Sequence, residues 1–308
     1  MSERNIVVLT IGGRALELQM ANLPVVEESI DYILFVDNRA EKCIKANELK
    51  ALLKKHGVTK KGYKVHVYSA KEILEEAMLQ LNPSYSKFMN EWVKSIHCLM
   101  YWYGACVLGL GKTLYIEDDV LLFEGFDAIF NEQKSMKYIS MFNSGTIYQR
   151  KTFGNDLFFA VALSDVAIGS VEGEELLDTN INVGQIYFGE DVEEFKWKLE
   201  KMTRAIFDTS LAKSTFEFFV KKHEGKLPVS SFGNTFDERL LGIVFFCCGI
   251  KGGELNDKIQ IIVQDFNKVK WEKVKQFIKK NIVHVVMSSP KDDWWDKLIE
   301  RSEIKAEK

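Results

Sequence analysis

Proline is scarce in this chain, four in 308 residues, and no stretch has the composition of an interdomain linker. With 46% hydrophobic and 28% charged residues, the sequence also lacks the bias of a disordered or low-complexity chain. A basic excess is missing too: 41 Lys and Arg face 44 Asp and Glu, a formal net charge of -3. Proteins that hold nucleic acid or an anionic membrane usually show a basic footprint, so neither partner is expected. Long apolar runs are absent. Ile6 to Ile11 is too brief for a signal-peptide core or a membrane span, and no transmembrane segment is expected. The longest stretch with little charge, Ile96 to Gly111, includes His97, Tyr101, Tyr103 and several glycines and reads as a buried helix and turn. The five cysteines, Cys43, Cys98, Cys106, Cys247 and Cys248, are odd in number and show no C-x-x-C spacing. They read as reduced core residues in a cytoplasmic protein rather than a disulfide framework or zinc site.

What the chain does have is a regular alternation. Ile6 to Ile11 is continuous and β-branched, as a strand covered on both faces should be. Gly12-Gly13 ends it, and a helical pattern through Leu16, Met20 and Leu23 follows until Pro24. Tyr32 to Val36 reads as a second strand, and Lys45 to His56 as a helix stopped by Gly57. Val65 to Tyr68 is a third strand, Lys71 to Leu108 is largely helical, and Thr113 to Ile116 is a fourth strand. This order predicts an α/β fold with a mostly parallel sheet flanked by helices and joined by right-handed crossovers.

The second half is less regular. Ile139 to Phe142, Phe158 to Leu163, Gln185 to Phe188, Ile259 to Val263 and Ile282 to Val286 read as strands. Val192 to Arg204, Glu238 to Phe246, Lys270 to Lys280 and Asp292 to Glu300 read as helices. No repeat or linker divides the chain, so residues 1–308 are expected to form a single domain, with halves 1–125 and 126–300 and a charged tail, 301–308.

Ligands in such sheets sit beyond the carboxyl ends of the strands. The residues there are Gly12-Gly13, Asp37-Asn38 and Glu117-Asp118-Asp119. Along an extended strand Glu117 and Asp119 project to one side and Asp118 to the other. Two oxygen ligands on one side suit a hard divalent ion, Mg²⁺ or Mn²⁺, that relieves the repulsion among the carboxylates. The alternative is a solvated acidic turn.

Further blocks follow in a fixed order. The run Thr179 to Phe188 resembles the N-A-G-V segment of family 8 glycosyltransferases, the glycogenin and bacterial galactosyltransferase group. Thr235 to Leu241 resembles their D-Q-D-x-L-N segment, and Val263 to Asn267 their short strand ending in an aromatic-Asn pair. Val283 to Lys291, with Trp294 and Trp295 behind it, resembles their H-F-x-G-x-x-K-P-W. The acidic strand end matches their L-D-A-D-V. These scattered blocks reach from Ile6 to Trp295.

The resemblance implies a GT-A fold with a nucleotide-binding first half and an acceptor-binding C-terminal part. It also implies Mn²⁺ (or Mg²⁺) and a nucleoside-diphosphate sugar, usually UDP-linked, as donor. Carried over, the metal ligands are Glu117, Asp119 and His284, and Lys291 meets the same phosphates. Asp37 and Asn38 receive the nucleobase, and the backbone from Thr10 through Gly12 and Gly13 approaches the nucleotide. Asn182 and Gly184 of the N-A-G-V block fall to the donor site, as does Asp118, the alternative first metal acid. Asp237 contacts the donor sugar, and Glu238 and Lys291 complete the catalytic set.

The chain departs from the family pattern at three points. Glu117 replaces an Asp, Glu238 replaces a Gln, and the interval from His284 to Lys291 is one residue longer, with Ser288-Ser289 in place of a Gly. A carboxylate at Glu238 can stabilise or attack an oxocarbenium-like centre better than an amide. Its structural alternative is an acid opening the helix Glu238 to Phe246. Family members retain anomeric configuration, and retention is the expectation here. Two other readings stay open. Ile11 to Leu16 resembles the glycine loop of sugar-nucleotide pyrophosphorylases, without the third glycine and the spaced Arg. A catalytically inactive nucleotide-sugar-binding or scaffold protein would keep the fold without turnover. The sequence does not specify the sugar or the acceptor.

Overall fold

The computed structural model describes residues 3–38, 42–76, 96–131, 137–140, 181–189, 196–201, 253–254, 258–263, 282–287 and 296–297. Strand β1 (Arg4–Thr10) buries every residue after its first, and β2 (Ile30–Val36) buries all seven. Continuous apolar runs of this kind fit strands with both faces covered. Between them α1 (Arg14–Asn22) turns Leu16, Leu18, Gln19 and Met20 inward. Leu23 leaves the helix with ψ 121, the extended backbone that a following proline imposes. Lys61 Nζ donates to the carbonyls of Met20 and Ala21 at 3.0 and 3.1 Å, placing a cation on the helix's negative end.

Helix α2 (Ala46–Lys55) starts where Glu48 accepts the Lys45 N–H at 3.1 Å, and left-handed Gly57 (φ 57) follows its end. A 3-10 turn, Val58–Lys61, leads to β3 (Tyr63–Ser69) and α3 (Ala70–Glu76). Helix α4 (Ile96–Trp102) continues as a π-helical turn, Tyr103–Val107. A side chain at Gly104 would stand 2.5 Å from the Tyr115 hydroxyl. The glycine lets this turn lie against a cluster in which the Tyr115 ring is 4.6 Å from Tyr101 and 5.0 Å from Phe188. Then come β4 (Lys112–Glu117), β5 (Val120–Leu122), a 3-10 turn at Phe126–Asn131, β6 (Lys137–Ser140), β7 (Ile181–Phe188), β8 (Gly253–Glu254), β9 (Lys258–Val263) and β10 (Ile282–Met287).

Seven strands form one sheet in the order β3-β2-β1-β4-β7-β6-β8, and β5-β10-β9 form a second. The first four strands of the large sheet are mutually parallel, β7 runs antiparallel to both β4 and β6, and β6 is parallel to β8. This is the expected α/β architecture with a mostly parallel central sheet. Ile6, Val8, Leu114 and Ile116 of its central strands pack with Leu16, Met20 and Leu23 in the main core.

Several expectations shift. The first strand stops at Thr10 rather than Ile11, because Gly12 and Gly13 take φ of 94 and 92 and turn the chain into α1. Strand β7 starts four residues earlier than Gln185, so Asn182 and Gly184 lie within it. Strand β5 was not foreseen, since its three residues are too few to show a period. Trp197 is 52% exposed, with Lys201 Nζ 6.0 Å from its ring centroid. Among the described residues, no helix is long and apolar enough to cross a membrane.

Candidate functional site

In the large sheet the chain winds from β1 outward through β2 to β3, then returns to add β4 on the other side of β1. The order therefore reverses between β1 and β4, and the crevice at such a reversal is where ligands bind in open α/β sheets. The carboxyl ends of these two strands carry Thr10 and the acidic run Glu117-Asp118-Asp119.

Thr10 is the meeting point. Its carbonyl accepts the Asp37 N–H at 2.8 Å, bringing the end of β2 alongside. The Asp118 N–H reaches the Leu9 carbonyl at 3.1 Å. The Thr10 hydroxyl, 2% exposed, accepts the Gly12 N–H at 2.8 Å and donates to Asp118 Oδ2. Thr10 thus spends its side chain on orienting Asp118. The Asn38 amide is similarly engaged, donating to Ser69 Oγ at 2.7 Å and accepting the Lys71 N–H at 3.1 Å. It ties the end of β2 to the β3–α3 junction.

The two glycines differ. A Cβ at Gly12 would lie 2.4 Å from Ile44 Cβ, so the close approach there is to the protein's own chain, fixed by the Ile44 N–H on the Ile11 carbonyl at 2.8 Å. A Cβ at Gly13 would meet nothing within 4 Å. Open space thus borders the backbone at the start of α1. Ile11 beside it is 46% exposed, an apolar surface at the mouth of the crevice.

Strand β4 ends at Glu117, and Asp118-Asp119 form a turn into β5 in the second sheet. The strand alternation expected from sequence therefore stops at Glu117 and does not set where Asp119 points. Asp118 is directed inward to Thr10. Its carboxyl is pushed up to about 8, chiefly by burial, with the charges of Asp119 and Glu117 adding to the effect. Hydrogen bonds from Thr10 and the Ile11 backbone oppose that shift. Gathered negative charge of this kind favours a cation or a proton.

Strand β10 reaches the same turn. His284 pairs with Val120, and the Val285 N–H donates to the Asp119 carbonyl at 3.1 Å. His284 thus occupies a strand position adjoining the acidic turn; its side chain lies outside the described residues. Gly184 stands on β7 next to Gln185, the residue that pairs with Ile116 of β4. Asp237, Glu238 and Lys291 lie outside the described residues.

Sequence reasoning missed Gln19. This residue is fully buried on the inward face of α1. Its amide Nε2 donates to the Glu117 carbonyl at 2.9 Å and the Val120 carbonyl at 2.7 Å, and its Oε1 accepts the Tyr32 hydroxyl at 2.7 Å. The only signal was a polar residue within an otherwise apolar helical face.

Chemically, an acidic turn offers oxygen donors of the kind that Mn²⁺ or Mg²⁺ takes, and the His284 strand position adjoins it. Among the described residues, no three His, Cys, Asp or Glu side chains already converge as a metal centre.

No family model and no curated protein matches the chain. Among solved structures, it is similar to the apo form of mouse Xyloside xylosyltransferase 1 at 12% identity and TM-score 0.47, over 91% of this chain and 96% of that one. Apo WbbM bifunctional glycosyltransferase matches at 9% identity and TM-score 0.47, over 97% of this chain and 49% of that one. The apo form of GlyE from Streptococcus pneumoniae TIGR4 matches at 11% identity and TM-score 0.42, over 98% of this chain and 62% of that one. The chain thus spans about half the length of WbbM and under two thirds of GlyE. At such low identity these likenesses assign neither family nor substrate.

Proposed function

We propose that the chain is a metal-dependent glycosyltransferase of the GT-A type. It moves a sugar from a nucleoside-diphosphate donor, most simply a UDP-sugar, to an acceptor, with retention of configuration. The observation that carries this reading is the acidic turn Glu117-Asp118-Asp119 at the β1/β4 reversal, with the His284 strand position paired beside it. The family 8 motif order in the sequence agrees with it.

Glu117, Asp119 and His284 would hold Mn²⁺ or Mg²⁺, with Asp118 as the alternative acid. When bound, the metal supplies Lewis-acid stabilisation of charge developing on the departing diphosphate. The protein's own groups do the rest. The open backbone at Gly13 leaves room for the nucleotide, and the exposed Ile11 gives it an apolar surface. Asp37, just past the end of β2, would meet the nucleoside. Lys291 would add positive charge against the phosphates. Asp237 would orient the donor sugar, and Glu238 would face its anomeric carbon. Asn182 and Gly184 on β7 would border the donor. The pyrophosphorylase reading ranks lower because the Ile11 to Leu16 run lacks that loop's third glycine and its spaced Arg.

The test is thermal unfolding with UDP, GDP, ADP or CMP, each with and without Mn²⁺. A ligand at about a hundred times its dissociation constant adds roughly 2.7 kcal/mol. A rise with UDP that requires Mn²⁺, lost in Asp119→Ala, is the expected result. A metal-independent rise with another nucleotide would favour the pyrophosphorylase, and binding without turnover of any UDP-sugar the scaffold reading.

A further inference from the structure

We infer that Gln19 is a positioning residue for the cation and nucleotide site, acting through the backbone of the acidic turn. The inference rests on the reading that this turn holds a divalent cation. Gln19 is fully buried, where an unpaired amide would be costly, and helix neighbours Leu16 and Met20 fill equivalent inward positions with apolar side chains. The amide satisfies both ends of its hydrogen-bonding capacity. Two carbonyl acceptors require the NH₂ group to face the turn, which leaves Oε1 to accept from Tyr32. The Tyr32 hydroxyl therefore locks the amide in the one orientation that can donate twice.

The two carbonyls belong to Glu117 and Val120, which bracket Asp118-Asp119. One side chain thus fixes the span between the last residue of β4 and the first of β5. The remaining anchors come from elsewhere: Leu9 and Thr10 hold Asp118, and Val285 holds the Asp119 carbonyl. The carboxylates are aimed by a backbone that three elements restrain, α1, β1 and β10. Gln19 alone among these anchors holds both ends of the turn. An apolar residue of similar volume would fill the space yet leave two inward carbonyls without that donor. The turn would then be free to relax, and the carboxylates would lose their common aim.

The experiment compares wild type with Gln19→Met and Tyr32→Phe. Free Mn²⁺ is followed by its electron paramagnetic resonance signal during titration into UDP-saturated protein, well below each variant's Tm. Loss of a group that orients metal ligands weakens metal binding by roughly 10- to 100-fold. That loss is expected for Gln19→Met, with a smaller one for Tyr32→Phe, which keeps the amide but unlocks it. A residue that served packing alone would lower Tm and leave Mn²⁺ affinity unchanged; that result overturns the inference while the metal reading stands. Should Gln19→Met fail to fold, unchanged affinity in Tyr32→Phe overturns it equally. A wild-type protein that takes up no Mn²⁺ overturns the metal reading and this inference with it.

Discussion

Asp118 is held by its neighbours in a state that its own chemistry resists. Burial, and then the charges of Asp119 and Glu117, raise its carboxyl from an ordinary 3.8 to about 8. Between those values the metal-free folded protein keeps a proton that the unfolded chain releases. The folded state binds more protons, so stability from this group is full below about pH 4 and is lost as pH rises through 8. In metal-free protein, Asp118→Asn is expected to flatten the fall of Tm between pH 4 and 8, an asparagine having no proton to lose. Parallel Tm profiles for the two proteins would refute this. A divalent cation competes with the proton for the same carboxylates, so Mn²⁺ should restore the wild-type Tm most at high pH. The position of this acid was legible in the sequence, because three carboxylates ending an apolar run announce themselves. Its environment was not. Thr10 reaches Asp118 across 108 positions of sequence, and Gln19 reaches Val120 across 101, and such pairings leave no local trace.

At the scale of elements, the β1–α1 loop shows what a pair of glycines can hide. Both have positive φ, and Gly13, with φ 92 and ψ -162, lies in a region open essentially to glycine alone. Only Gly12 has a neighbour against it, Ile44 at 2.4 Å from its would-be Cβ. Alanine at Gly13 should cost about 1–3 kcal/mol of backbone strain. Alanine at Gly12 should cost more, and Ile44→Ala should relieve part of the excess in a double-mutant cycle followed by urea unfolding. Equal losses at the two positions would show that the contact with Ile44 yields easily. The sequence revealed the glycines but not which of them faces the chain and which faces space. It also revealed β1, β2 and β4, whose apolar runs need both faces covered, and β3, a shorter run that the sheet edge leaves partly exposed. Strand direction beyond β4 was not readable: nothing in the residues of β7 marks it as antiparallel to β4. β8 has two residues and β5 three, too few for any period.

For the molecule as a whole, the distant ends of the sequence meet beside the glycine loop. Arg14 Nη2 lies 3.0 Å from Asp296 Oδ1, while Nη1 lies 2.6 Å from Glu17, whose other oxygen takes Lys55 at 2.7 Å. The Arg14–Asp296 pair is substantially exposed, 31% and 62% by side chain, so water and salt weaken it. A double-mutant cycle with Arg14→Met and Asp296→Asn should give a coupling of about 0.2–1 kcal/mol, fading in 1 M salt. A larger, salt-resistant coupling would make the pair a true clamp on the C-terminal segment. The acidic turn joins the molecule more firmly. Two residues separate the end of a strand in the large sheet from the start of one in the small sheet. A link so short has no slack. Any substitution that tilts one sheet against the other, however remote, drags the carboxylates with it. Cores that could otherwise drift independently are thereby bound to one tolerance, and mutations that disturb the acidic turn should turn up in strands that never touch it.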